Sequence, residues 1–260
     1  MVNGMEIFRR YFAGYEDAFV LIGGAACDEW FTRAGGRFRT TKDIDVVLVL
    51  EAVTPRFQTR LWSFVQEGGY ETGHHQDGTS AYFRFLKPAT IGYPKMIELF
   101  SSRPTIIEPA PGQRIIPIPH DERAASLSAI LMDSDYYNFV MNQRQTVAGL
   151  PLLKPAGLIL LKAKAWLDLA GRRAAGDTSI SRDDVDKHRT DLFRLAAILP
   201  TGETIQLPST LAADLGRFLS AFPASAPEWP AILQSLATSG INTTTANLLS
   251  TLNTYFQPTS

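Results

Sequence analysis

The chain is expected to fold as α/β (α+β), a small mixed sheet with flanking helices followed by a helical C-terminal region. Three observations carry this expectation. Phe19–Ile22 and residues 46–50 are short apolar runs, the second of them β-branched, with the length of buried strands. Between them lies a helix-capable stretch, residues 25–34, opened by Gly23-Gly24. From Pro155 onward, apolar residues recur at helical spacing.

The 260 residues suffice for one large domain or two ordinary ones, and hydrophobic residues at 45% can build a proper core. The break is expected after residue 154, giving a domain over 1–154 and a helical one over 155–260. Formal net charge is −1, from 25 basic and 26 acidic residues, so no global basic field draws nucleic acid to the chain. A single cysteine, Cys27, excludes an internal disulfide and suits a reducing compartment. It follows the helix start, but a small buried residue on a packed helix is its simplest role. No apolar stretch nears the roughly 20 residues that span a bilayer. The apolar run after residue 18 is flanked by acids, unlike a signal peptide. The expected location is cytoplasmic.

In order along the chain, residues 5–16 have the spacing of an amphipathic helix. After the central strand–glycine–helix–strand stretch, Pro55 opens a helix with Phe57, Leu61, Phe64 and Val65 on one face, stopped by Gly68-Gly69. His74 to Gly78 suggests a turn; its adjacent histidines lack a third zinc ligand at suitable spacing. Ala81–Leu86 alternates, Tyr82 and Arg84 against Phe83 and Phe85, as a strand does. Residues 95–100 form an apolar run that contains Glu98. Residues 103–119 are proline-rich, hence a loop or an edge segment. Residues 121–132 are expected to be helical, 136–147 extended, and 151–153 to pair back after Gly149 as a hairpin.

Asp43-Ile44-Asp45 opens the second buried run. If it is extended, both carboxylates share a face, because side chains alternate along a strand. Two acids so placed are costly to desolvate unless a cation joins them. A hard divalent ion such as magnesium is the natural partner for carboxylate oxygens. Taken singly, an Asp-x-Asp is usually a solvated strand end and a Gly-Gly usually a turn. Their order distinguishes them: strand, Gly23-Gly24, helix, Asp-x-Asp, strand. Glycines at a helix start also let backbone N–H groups approach a phosphate.

In the second half, Pro155 opens a long helix, residues 156–170, with Leu158, Leu161, Ala165 and Leu169 on one face. Lys162 lies near the edge of that face, where a lysine can snorkel, and Lys164 points elsewhere. Removing either is expected to cost little stability. Ser181 caps a helix over residues 182–199 with an acidic first turn and a buried stripe of Val185, His188, Leu192, Leu195 and Leu199, beside which lies Asp191. Short helices are expected over 211–222, 226–237 and 242–255, given to packing rather than chemistry.

The strand, Gly23-Gly24, helix, Asp43-x-Asp45 order resembles the nucleotidyltransferase fold of the DNA polymerase β superfamily. Arg39-Thr40 before the aspartates is similar to the toxin-type AbiEii/AbiGii group. The span from Gly24 to Asp43 is longer than that family's, with Gly35-Gly36 forming an added turn. The resemblance implies transfer of a nucleoside monophosphate from a nucleoside triphosphate to an acceptor hydroxyl. It implies a two-metal magnesium site on Asp43, Asp45 and Glu98, with Glu98 as the third carboxylate. Gly23 and Gly24 would cradle phosphates, and Arg39, Thr41 and Lys162 would contact them, with Asp191 orienting Lys162. Lys187 matches the basic residue of the second helix, and His188 stands where an acid is common. Toxin-type relatives imply transfer RNA or protein as acceptor and an antitoxin as partner. The competing readings are an aminoglycoside-type antibiotic adenylyltransferase and a catalytically idle nucleotide-binding or interaction module.

Overall fold

The computed structural model describes residues 2–39, 41, 43–49, 52–76, 81–101, 115–117 and 122–258. The chain divides into two units. One holds residues 1–29 and 40–154, the other residues 30–39 and 155–260.

The first unit is a mixed sheet with helices. Its elements are α1 (Met5–Tyr11), β1 (Phe19–Ile22), the first part of α2 (Gly23–Arg33), β2 (Asp43–Leu48), α3 (Pro55–Gly68), β3 (Glu71–Gln76), β4 (Ala81–Leu86), β5 (Met96–Phe100), β6 (Ile115–Pro117), α4 (Glu122–Met132), α5 (Ser134–Asn142), β7 (Arg144–Val147) and β8 (Leu150–Leu153). Among the described residues the sheet has eight strands in the order β6-β3-β4-β5-β2-β1-β8-β7, larger than the small sheet expected. β2 is central: it pairs antiparallel with β1 and parallel with β5. That position accounts for its buried, β-branched sequence, since an inner strand covered on both faces wants apolar side chains throughout.

One face of the sheet carries an aromatic core. Phe19 of β1 meets Phe8 and Phe12 near α1 and Phe57 of α3. Trp62 of α3 packs edge-on against Phe83 and Phe85 of β4. α3 forms where its ends are satisfied: Thr54 accepts from the Phe57 N–H at 3.2 Å, and Gly69 closes the helix at φ +63°, a left-handed conformation that suits glycine.

Three expectations are corrected. Residues 5–16 are not one helix: α1 stops at Tyr11, and a single 3₁₀ turn, Glu16–Ala18, leads into β1. His74 and His75 lie in strand β3, not in a turn; residues 77 and 78 fall outside the described residues. Of residues 136–147, expected to be extended, 144–147 are strand β7 and 136–142 are helical, within α5. There the Asp133 carboxylate accepts from the N–H groups of Asp135 and Tyr136, and burial of Tyr136, Tyr137, Phe139 and Val140 outweighs their strand preference. The hairpin follows one step later as β7 and β8. Of the proline-rich stretch, β6 is described and forms the edge strand beside β3; residues 103–114, 118 and 119 lie outside the described residues.

The second unit is mostly helical: the end of α2, then α6 (Pro155–Ala174), α7 (Arg182–Ala196), β9 (Ile205–Leu207), α8 (Ser209–Ser220), α9 (Trp229–Ala237), α10 (Thr245–Tyr255) and β10 (Phe256–Pro258). β9 and β10 pair in parallel, an addition to the helices expected there. α7 begins as anticipated, with Ser181 Oγ accepting from the Asp184 N–H at 3.1 Å. Trp166, Phe193, Phe218, Phe222 and Trp229 build its aromatic core. Gly35 and Gly36 close α2, the Gly36 N–H donating to the Phe31 carbonyl at 2.9 Å. Among the described residues no helix is long and apolar enough to cross a membrane.

Phe64 is fully buried and its ring lies 4.9 Å from Tyr11, 5.2 Å from Phe12 and 4.9 Å from Tyr93, centroid to centroid. Truncating it opens a cavity among aromatic rings, so Phe64→Ala is expected to lose about 3–5 kcal/mol in denaturant unfolding. A loss below about 1 kcal/mol would show that this cluster is not the first unit's core.

Candidate functional site

Strand register builds the acidic part of the site. It sets Ile22 of β1, Asp45 of β2, Glu98 of β5 and Arg84 of β4 side by side across the sheet. Cross-strand neighbours share a face, so the two acids and the arginine project together. Asp43, two residues before Asp45, is on the same face and opposite Met96. This is the face away from Phe19, Phe83 and Phe85. The two aspartates are half-buried, and Glu98 is 8% exposed.

Two acidic groups meeting in so dry a place cannot both ionise cheaply. Burial, and after it the Asp45 carboxylate, push the Glu98 carboxyl up to about 8, against the opposing pull of Arg84. The side chains of Glu98 and Asp45 hydrogen bond to each other; with Glu98 protonated, its carboxyl donates to the Asp45 carboxylate. On the other side, Arg84 Nε donates to Glu98 Oε1 at 2.7 Å, and Arg84 Nη2 donates to the same oxygen. Among the described residues no three of His, Cys, Asp and Glu are gathered as a metal cluster. Glu98 and Asp45 thus meet through their hydrogen bond, and Asp43 lies two residues along β2 on the same face.

The glycines act through the space they leave. Gly23 has φ +63°, and a Cβ there would collide with the Asp45 carboxylate. A Cβ on Gly24 would sit 2.6 Å from Thr41 Oγ1. The pair therefore lets the start of α2 close directly onto Asp45 and Thr41. Cys27, one turn further along, is fully buried.

The remaining candidates belong to the second unit. Asp191 on α7 is fully buried. It accepts from Lys162 Nζ at 3.0 Å, from Arg39 Nε at 3.0 Å and Nη2 at 2.8 Å, and from Arg194 Nη1 at 3.3 Å. Burial alone would raise its carboxyl, but Lys162 and Arg39 outweigh burial and hold it well below the usual carboxylate range. His188, one turn before it, is held neutral, first by burial and then by the positive charge of Lys162, Arg39 and Lys187; its buried Nδ1 has no hydrogen-bond partner among the described residues.

The snorkelling expected of Lys162 is corrected here, and Lys164, directed elsewhere as expected, also meets a buried acid. Lys162 is 7% exposed and bonded to a buried acid, so it does not snorkel. Lys164 pairs at 2.8 Å with Asp214 of α8, itself 3% exposed and also bonded by Arg217. Sequence reasoning missed two participants. Arg84 was visible only as a charged residue amid Phe83 and Phe85, and Arg194 only as the residue three positions after Asp191.

No family model and no curated protein matches the chain. A solved structure of an antigenic nucleotidyltransferase-like protein from Paracoccidioides brasiliensis is similar at 13% identity and a TM-score of 0.43, covering 95% of this chain and 97% of that one.

Two outcomes are expected. The folded protein holds a proton on Glu98 that the unfolded chain, with its ordinary value of 4.5, releases. That stabilisation is complete below about 4.5 and is lost as pH rises to about 8. Melting temperatures measured between pH 5 and 9 should therefore fall more for the wild type than for Glu98→Gln; parallel curves would place no raised carboxyl there. Separately, Lys162→Ala and Lys164→Ala should each lose on the order of 2 kcal/mol in denaturant unfolding, because each leaves a buried carboxylate with one charged partner fewer. Wild-type stability in either variant would return that lysine to a surface role.

Proposed function

We propose that the protein is a metal-dependent nucleotidyltransferase, moving a nucleoside monophosphate from a nucleoside triphosphate to an acceptor hydroxyl. The observation that carries this reading is the register that puts Glu98 beside Asp45 on adjacent parallel strands, with Asp43 on the same face. Gly23 brings the start of α2 against that row.

In donor type the site suits a divalent cation. It is made of carboxylate oxygens, the ligands that hard cations prefer, and its excess negative charge is balanced here by a proton and a guanidinium. When bound, magnesium would neutralise triphosphate charge and lower the pKa of the attacking hydroxyl. Asp43 and Asp45 would hold it, and Glu98 would complete the site for the attacking oxygen. Asp45 is well placed for this, since β2 is paired along both edges and the carboxylate fits the space left at Gly23. The first N–H groups of α2 and the Thr41 hydroxyl beside Gly24 would receive phosphate oxygens.

The finer parts of the proposal come from the resemblance alone. They are the toxin-type role, transfer RNA or protein as acceptor, an antitoxin partner, and phosphate contacts from Arg39 and Lys162. Within the second unit the observed role of both cations is to hold Asp191.

The test is incubation of the protein with each labelled nucleoside triphosphate, magnesium and a cell lysate. Label should enter an RNA or protein fraction, and Asp45→Ala should fold yet transfer label about 100-fold more slowly or worse. No transfer from any of the four nucleotides, or wild-type transfer by Asp45→Ala, would contradict the reading.

A further inference from the structure

Glu98 has opposite neighbours on its two sides. Across β2 it faces the Asp45 carboxylate; across β4 it faces the Arg84 guanidinium. A guanidinium fork ordinarily takes both oxygens of a carboxylate. Here Arg84 Nε and Nη2 converge on Oε1 alone, so Oε2 stays outside the fork. Glu98 is thus held end-on, by an arginine that is itself 9% exposed. An end-on pair lacks the second parallel bond that makes a fork–fork pair strong and directional.

We propose that Arg84 is a built-in counter-cation that competes with a divalent metal ion for Glu98, so that the third carboxylate serves the site only when the guanidinium releases it. This rests on the metal-dependent reading above and adds a residue and an ordering to it. With no metal bound, a dry carboxylate beside a second acid needs a positive neighbour, and Arg84 is that neighbour. A divalent ion on the same carboxyl group brings twice the charge at one point, and its repulsion of the adjacent guanidinium sets the two in competition for Glu98. Asp43 and Asp45 are then the entry ligands, and Glu98 joins after them. Arg84 is a positioning residue, acting through Glu98. A bridge with only a structural role would give a different result on its removal: a looser strand β5 and unchanged or weaker metal binding.

The experiment is manganese binding to the intact protein, read from the electron paramagnetic resonance signal of free Mn²⁺, for wild type, Arg84→Met, Arg84→Lys, and Arg84→Met combined with Glu98→Gln. Arg84→Met should bind manganese about tenfold more tightly than wild type, because the ion no longer displaces a charge-assisted hydrogen bond. Arg84→Lys keeps the charge and loses the fork, so its gain should be smaller. In the Glu98→Gln background, removing Arg84 should give no comparable gain. Equal or weaker binding by Arg84→Met, with wild type binding normally, overturns the competition and leaves the metal site standing. No binding by any variant overturns both. Should Arg84→Met fail to fold, the wild type still decides. The Arg84 Nε–H resonance, hydrogen bonded to Glu98, should shift and lose protection from exchange as magnesium is added. An Arg84 resonance that stays fixed while residues 43 and 45 respond overturns the proposal.

Discussion

The meeting of Asp45 and Glu98 across β2 and β5 is the constraint on which the rest of the first unit's polar architecture depends. A carboxylate placed beside another in a dry sheet face is unstable by itself, and each surrounding feature answers that problem. A proton stays on Glu98 to well above its ordinary range. Arg84 donates from the strand on the far side. Gly23, lacking a Cβ, gives the Asp45 carboxylate room at the start of α2. The aromatic core on the opposite face holds the sheet that fixes this register, so the acids are kept together by packing they take no part in.

Asp191 of the second unit presents the reverse case. It too is buried, but Arg39, Lys162 and Arg194 all donate to it, so its carboxyl is held low where that of Glu98 is pushed high. One buried acid has a surplus of cations and the other has a neighbouring acid. Perturbed acids in opposite directions mark places where folding stability was spent on something other than packing. For Asp191 the ionised form is locked in. For Glu98 burial and the Asp45 carboxylate prevail over Arg84, and the proton is retained.

What was legible in the sequence was local. The strand over Phe19–Ile22, the glycine pair, the parity of Asp43 and Asp45, and the capping of α3 and α7 all depend on residues a few positions apart. Glu98 could be noticed as an acid in an apolar run, but its placement opposite Asp45 depends on the pairing of strands far apart in the chain. Arg84 was beyond reach for the same reason: nothing near it in the chain says that β4 lies next to β5 in that register. Residues 134–142 misled because tyrosine, phenylalanine and valine favour strands, while the Asp133 cap and burial on one side favoured a helix. The lysines misled because Asp191 and Asp214, which draw Lys162 and Lys164 inward, come from other helices.

That the Asp45–Glu98 pair is an incomplete cation site is a proposal that anomalous diffraction at the manganese edge tests, from crystals grown with Mn²⁺ and a non-hydrolysable nucleoside triphosphate. An anomalous peak is expected within ligand distance of the Asp43 and Asp45 carboxylates, with Glu98 turned away from Arg84. Nucleotide bound with no peak at these aspartates, or a peak there with the Arg84–Glu98 bond unchanged, would contradict it.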